Sequence, residues 1–398
     1  MGYPRKPECR ETMIPSAKKP HGAFRFDRNE LSGAFGDIGT DLPLIVGMIL
    51  ASGLDSASVL ILFGAMQLFS AFSYGLPMPV QPLKAFAVIV ITEKLGARIV
   101  YGGGLIIGIT MLLLAVTGLV DWLARVIPKS AIRGIQFGLG LQLAWLALRD
   151  YMRADGIAGY GLAAIGFIVT IFLLGNRRYP PALFVLSLGV VYAFLFKPDA
   201  IAALQNVGFS LPRIHTPTVQ DMMTGFIVLA LPQIPLSLGN SILATRQIAQ
   251  DFFPEQPLSV RKISLTYALM NLINPLLSGV PTCHGSGGMA GHYAFGARTG
   301  GSVVIYGSMY LVLGFFFSSG FEKIVQVFPL SILGVVLLFE GLTLMRLIAD
   351  LADSTGDFSI GLLVGLMASG LPYGYLLGLI VGTLLDNLSR RRLIGLAK

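Results

Sequence analysis

The chain has 398 residues, 54% hydrophobic and only 13% charged, with a formal net charge of +8 and two cysteines. Soluble globular domains carry about 25% charged residues, so the composition excludes a soluble fold. The basic residues fall in short loops and tails rather than on one face, which argues against nucleic acid as a partner and for the positive-inside bias of membrane proteins. Cys9 sits in a tail and Cys283 in an apolar stretch, so a disulfide framework is not expected.

In chain order, residues 1–25 form a basic tail (Arg5, Lys6, Arg10, Lys18, Lys19). It lacks the apolar core and cleavage site of a secretory signal, and its Pro- and Lys-rich composition predicts poor order. Residues 26–200 form a first unit with helices expected near 37–54, 57–74, 99–120, 131–149, 157–175 and 180–196. An extracellular connection over 201–221 follows. Residues 222–389 form a second unit with helices near 224–245, 262–278, 300–319, 329–348, 357–370 and 372–388. A short cytoplasmic tail closes the chain at 390–398. Stretches 99–120, 156–176, 222–245 and 299–321 contain no Asp, Glu, Lys or Arg, and each approaches the ~20 residues that cross a bilayer.

Two further segments are too broken to span. Gly75–Thr92 carries prolines at 77, 79 and 82, and Gly279–Gly296 carries Pro281 and a run of glycines. Such backbone survives at membrane depth only when buried in protein or lining a cavity. Each is read as an extended lead-in followed by a half-helix, giving an all-α integral membrane protein of fourteen segments. An even count puts both termini on one side, and the basic tail with Arg390, Arg391 and Arg392 makes that side cytoplasmic in a multi-pass cell-membrane protein. Arg125, Lys129, Arg133, Arg177, Arg178, Arg246, Arg261, Lys262 and Arg298 fall inside on this count. Arg149, Arg153, Lys197, Arg213 and Lys323 fall outside, so the rule is a bias here.

The two units resemble each other at a spacing of about 200 residues. Asp37-Ile38-Gly39-Thr40-Asp41 matches Ser237-Leu238-Gly239-Asn240-Ser241, and Gly75-Leu76-Pro77 matches Gly279-Val280-Pro281. Pro128-Lys129-Ser130 matches Pro329-Leu330-Ser331, and Tyr179-Pro180 matches Leu371-Pro372. Seven segments per unit make the units inverted in the membrane. Paired interruptions in inverted repeats mark the substrate site of secondary transporters.

Two half-helices beginning near the midplane would aim their N-termini at one point. Each N-terminus carries roughly half a positive charge, which makes an anion site with few charged side chains. Gly285, Gly287 and Gly288 would admit an oxyanion close to backbone. Lys84, just beyond Pro82, adds a full charge at a depth where ionisable residues are functional candidates. It could equally be a structural partner of Asp37 or Asp41. Gln81, Thr282, His284 and Ser286 supply donors at the helix starts, and Thr40, Gln233, Ser237, Asn240 and Ser241 supply them from adjoining helices. Uncharged donors suit a hydrated tetrahedral dianion that must also be released.

Asp37 and Asp41, four apart and so on one helix face, are candidates for proton coupling. Glu340 is a third, with Arg346 or a link between domains as its alternative roles. His284 could contact the anion, titrate or cap the loop, while His292 reads as packing. Cys283 beside His284 is not a nucleophile pair, because no third group orients them. No Cys/His spacing supports a metal and no phosphate-binding loop appears, so neither enzyme activity nor a cofactor is expected.

Gly36-Asp37-Ile38-Gly39-Thr40, Pro77-Met78-Pro79-Val80-Gln81-Pro82-Leu83-Lys84-Ala85, Pro281-Thr282-Cys283-His284-Gly285-Ser286-Gly287-Gly288 and Tyr293-Ala294-Phe295-Gly296-Ala297-Arg298 resemble the signature stretches of the molybdate transporters, a family similar to the sulfate permeases. The resemblance runs from about Phe26 to about Leu388. It implies a seven-plus-seven inverted fold shared with sulfate and uracil permeases, in which the third and tenth segments are facing half-helices of a core domain. Segments five to seven and twelve to fourteen would form a gate. It also implies a homodimer, elevator-like transport, and substrate lining by the stretches around Gln81 and Lys84, and around Cys283, His284 and Gly285. Two departures stand out. Only about ten residues follow the last helix, so no STAS regulatory domain is expected, and Ser286 stands where many relatives have alanine. The expected activity is proton-coupled molybdate symport. Sulfate, another small anion, or a passive anion channel remain alternatives.

Overall fold

The computed structural model describes residues 24–174, 181–197 and 207–391. The expected tail at 1–25 therefore lies outside the described residues apart from its last two, as do 201–206 of the connection and 392–398 of the closing tail. Helix ends follow local chemistry. α1 (Arg28–Ala34) begins at Asp27, whose carboxylate accepts from the N–H groups of Asn29 and Glu30. α2 (Ile38–Ser52) contains Pro43 and ends at Gly53. α3 (Ser56–Tyr74) is capped by Asp55 and stops at Gly75, where φ is 66° and glycine carries no steric penalty.

The proline-rich segment then gives a three-residue strand, β1 (Val80–Pro82), and a short helix, α4 (Lys84–Glu93). α5 (Ala97–Thr117), α6 (Leu119–Val126) and α7 (Lys129–Leu146, continuing through a π turn to Ala154) follow. α8 (Gly156–Leu173) and α9 (Pro181–Phe196) close the first unit. The second unit opens with α10, a helix over Val219–Phe252 widened by π turns at Phe226–Ala230 and Ser237–Ala244. α11 (Val260–Ile273), β2 (Thr282–His284) and α12 (Ser286–Ala294) follow. Then come α13 (Gly301–Phe316), α14 (Ser318–Val327), α15 (Leu330–Arg346), α16 (Thr355–Gly370) and α17 (Gly374–Arg390).

Seven of the described helices are long and apolar enough to cross a membrane, or eight if α13 and α14, which meet at 95°, count as one span. The two half-helices appear where the sequence places them. The short helices α6 and α14 are additions that the sequence reading left inside loops.

The helices pack as two groups. α1–α5 and α10–α13 surround the strands, with α3 against α13 and α5 against α10 and α11. α7–α9 and α15–α17 form the second group, in which α7 packs on α15 and α16 and α8 on α15. Small residues set the closest crossings: a Cβ on Gly64 would meet the Gly307 carbonyl at 2.7 Å, and one on Gly140 would meet that of Gly341 at 2.4 Å. Van der Waals contact between closely approaching backbones is the usual cohesive force between helices in lipid. The groups meet where α2 and α4 of the first lie on α7, α9 and α15 of the second.

The strands sit at the centre of the first group. They pair antiparallel, with Gln81 opposite Cys283 and Val80 opposite His284. Their outer edges would expose unpaired backbone to apolar surroundings, where each orphan group is costly. Two side-chain amides satisfy them. Gln67 of α3 donates to the Val80 carbonyl at 2.6 Å and accepts its N–H at 2.8 Å. Asn271 of α11 does the same for Thr282, at 2.6 and 2.9 Å. One turn further, Ser70 donates to the Met78 carbonyl and Asn274 to that of Val280. Each hairpin-like lead-in is thus clamped by the helix before it.

Candidate functional site

The strand pair sets the starts of α4 and α12 beside one cavity of about 320 Å³. That volume lies at the small end of ligand sites. No side chain caps α12, and its first intrahelical bond runs from Met289 N–H to the Gly285 carbonyl. The N–H groups of Ser286, Gly287 and Gly288 therefore have no acceptor among the described residues, which is the usual state of a helix N-terminus. Ser286 and Gly287 border the cavity. α4 is anchored from α10: Gln233 accepts the Phe86 N–H at 3.0 Å and donates to the Ser237 hydroxyl at 3.1 Å.

Two cations border this cavity and no carboxylate does. Lys84 is the first residue of α4, and Arg133 comes from α7 in the second group. Arg133 donates to Gln136 and to Asp350, but its Nε is buried with no partner, as is the amide nitrogen of Gln136. Lys84 pairs with Glu340 of α15 at 3.1 Å.

The aspartates are otherwise engaged. Gln81 donates to both carboxylate oxygens of Asp37, at 2.7 and 2.6 Å, and Tyr306 donates to Asp41 at 3.2 Å. Neither pairs directly with Lys84, and Glu340 pairs with Lys84 rather than Arg346. Both departures have one cause: α4 starts beside α15, so the nearest carboxylate comes from the second group of helices. Gly285 is required where it stands, since a Cβ there would lie 2.2 Å from the Gln81 side chain.

His284 is held from behind. Its Nε2 meets the Thr266 hydroxyl at 2.7 Å, and Tyr74 meets the same hydroxyl at 2.5 Å. The Tyr74 ring stands edge-on to the imidazole at 5.2 Å. Nδ1 of His284 is buried with no partner, and the residue borders the cavity. His292 bonds Ser302 at 3.1 Å, away from the site.

Of the residues expected from sequence, Gln81, Lys84, Gln233, Asn240, Ser241, Cys283, His284, Gly285 and Ser286 come together around this cavity. Thr40 and Glu340 border a neighbouring cavity of about 260 Å³. Thr282 is turned inward, its hydroxyl accepting from Asn274, and Ser237 bonds Gln233 and Tyr267. Arg133, Gln136, Thr266 and Tyr74 escaped the sequence reading. For the first two a signal existed: charged and amide residues three apart share a helix face, and α7 is apolar around them.

Residues 29–143 and 225–344 match a family described as molybdate transporter of the MFS superfamily. Molybdate transporter 2 of Arabidopsis thaliana is 33% identical over 379 residues, covering 83% of this chain and 81% of that protein. Among solved structures, the transmembrane domain of the cyanobacterial bicarbonate transporter BicA superposes with a TM-score of 0.65 at 16% identity, covering 91% of this chain and 98% of that one. Murine Slc26a9, an anion transporter of solute carrier family 26 solved in its inward-facing state, gives 0.66 at 13% identity, covering 93% and 70%. The fold is therefore that of membrane anion transporters, and the chain belongs to the molybdate transporter family.

Proposed function

We propose that this chain is a secondary transporter of molybdate whose substrate occupies the 320 Å³ cavity. One observation carries the reading: two helix N-termini and two cations, Lys84 and Arg133, border that cavity, and no carboxylate does. Uncapped N–H groups and a basic side chain are what a tetrahedral dianion needs in place of its hydration shell. Gln81, Gln233, Asn240, Ser241, Cys283, His284, Gly285 and Ser286 complete the lining, and Thr40, Ser237 and Thr282 act one layer behind.

The chain is a seven-plus-seven inverted repeat with both termini cytoplasmic. The matching amide clamps on Val80 and Thr282 support the repeat. So does the packing of α3 on α13 and of α5 on α11, which are the same contact under exchange of the two units. The first group is the moving core and the second the gate of an elevator, and the protein works as a homodimer. Molybdate entry is coupled to protons, with Asp37, Asp41 and Glu340 as carriers.

The deciding measurement is molybdate binding to purified protein, competed with sulfate at two pH values. Tight binding that excess sulfate does not displace is expected. Equal competition would reassign the substrate to sulfate or another small oxyanion.

A further inference from the structure

We propose that Glu340 is a built-in competitor of the anion: in the empty carrier its carboxylate occupies Lys84, and an arriving oxyanion displaces it, releasing the core helices from the gate helices. The inference rests on the reading of Lys84 as part of the anion site. Lys84 opens α4 in the first group and Glu340 sits on α15 in the second. Their contact at 3.1 Å is, among the described residues, the only ion pair that joins the two groups; the others lie within the second group or tie Arg213 to Asp55.

The pair also stands in a wall. Lys84 borders the 320 Å³ cavity and Glu340 the 260 Å³ one, while Thr343, one turn along α15 from Glu340, borders both. The side chains are 29% and 13% exposed, so the bond is neither a solvated surface pair nor sealed from an incoming ion. Leaving a partly buried ammonium unpaired is costly, whereas exchanging one oxygen anion for another keeps it paired throughout. Anion arrival at Lys84 therefore removes the one ionic tie between the groups while the ammonium stays paired, and the displaced Glu340 carboxylate is left to the 260 Å³ cavity that it already borders.

The test is titration of purified full-length protein with sodium molybdate, comparing Glu340→Gln, Lys84→Ala and the double variant. Removing the competitor should tighten molybdate binding about tenfold, the scale of a partly buried charge pair. Lys84→Ala should weaken binding, and in that background Glu340→Gln should no longer tighten it. Unchanged or weaker binding by a Glu340→Gln protein with native thermal unfolding overturns the proposal. If that variant does not fold, Glu340→Asp, with its carboxylate drawn back by one methylene, should tighten binding to a smaller degree, and no change there is equally fatal. Absence of molybdate binding by the unaltered protein would remove the anion-site reading and this inference together. Binding by the unaltered protein without a gain in the variants removes only this inference.

Discussion

Lys84, Gly285 and Gly287 carry different burdens although all three border the cavity. Lys84→Ala should weaken molybdate binding at least tenfold and also lower the unfolding temperature, because the Glu340 carboxylate loses its ion-pair partner; Lys84→Ala with Glu340→Gln should recover the stability but not the binding. Gly285 is boxed in by Gln81, so Gly285→Ala forces apart the side chain that bonds Asp37. Its effect should appear as lost folded protein on size exclusion. A Cβ on Gly287 meets nothing within 4 Å. Gly287→Ala should therefore fold normally yet weaken binding, since the new methyl projects into open space beside a helix N-terminus. A Gly287→Ala protein that binds molybdate like its parent would show that the anion sits elsewhere.

At the scale of elements, the half-helices were legible because several prolines in one unit and a glycine cluster at the matching place in the other are more than an ordinary kink requires. The amides that hold their lead-ins were not. A single Gln67 or Asn271 inside an apolar helix carries no periodic signal, and only the strand it satisfies explains it. Gln67→Leu and Asn271→Leu each strip two buried backbone groups of their partners. At about 1–3 kcal/mol for each unsatisfied group, either variant should unfold at distinctly lower temperature in detergent. Similar losses from both would express the likeness of the two units. The lining from α10 was half legible for a related reason. Ser237, Asn240 and Ser241 were named alike as donors from an adjoining helix, but the π turns rotate its face, so Asn240 and Ser241 border the cavity while Ser237 turns to Tyr267. Thr266 was hidden because its role is to fix another side chain: Thr266→Val removes the hydroxyl that holds the His284 ring and should weaken molybdate binding severalfold while leaving secondary structure intact by circular dichroism.

For the whole molecule, what matters is the seam between the helix groups. Away from Lys84 and Glu340, that seam passes Thr92 of α4 and Gln142 of α7, whose side-chain oxygens lie 3.5 Å apart. Gln142 also accepts from the Tyr375 hydroxyl, and beside these residues lies a further cavity of about 360 Å³. If the core moves against the gate, cysteines at 92 and 142 joined by a short thiol cross-linker should stop molybdate uptake into liposomes but spare binding. Reduction of a cleavable cross-linker should restore uptake. Uptake that continues at full rate in the cross-linked protein would rule out sliding at this seam. The same vesicles test coupling: collapsing the pH gradient should abolish accumulation. Arg133 belongs to this scale too. Read along the sequence it was a loop charge counted for orientation, and only the meeting of α7 with the core brings it to the cavity.

The strand pair has a consequence for how this protein can change over evolutionary time. Because successive residues of a strand alternate in facing and in the edge their backbone groups present, adding or deleting one residue between 80 and 82 or between 282 and 284 would break the amide clamps of Gln67 and Asn271 on the Val80 and Thr282 backbone and shift the side chains that line the cavity. Substitution at Gln81, Cys283 or His284 alters the cavity lining and leaves the strand pairing in place, but the lengths of the two lead-ins are frozen. Insertions should accumulate in the outer connections and be absent from these six positions.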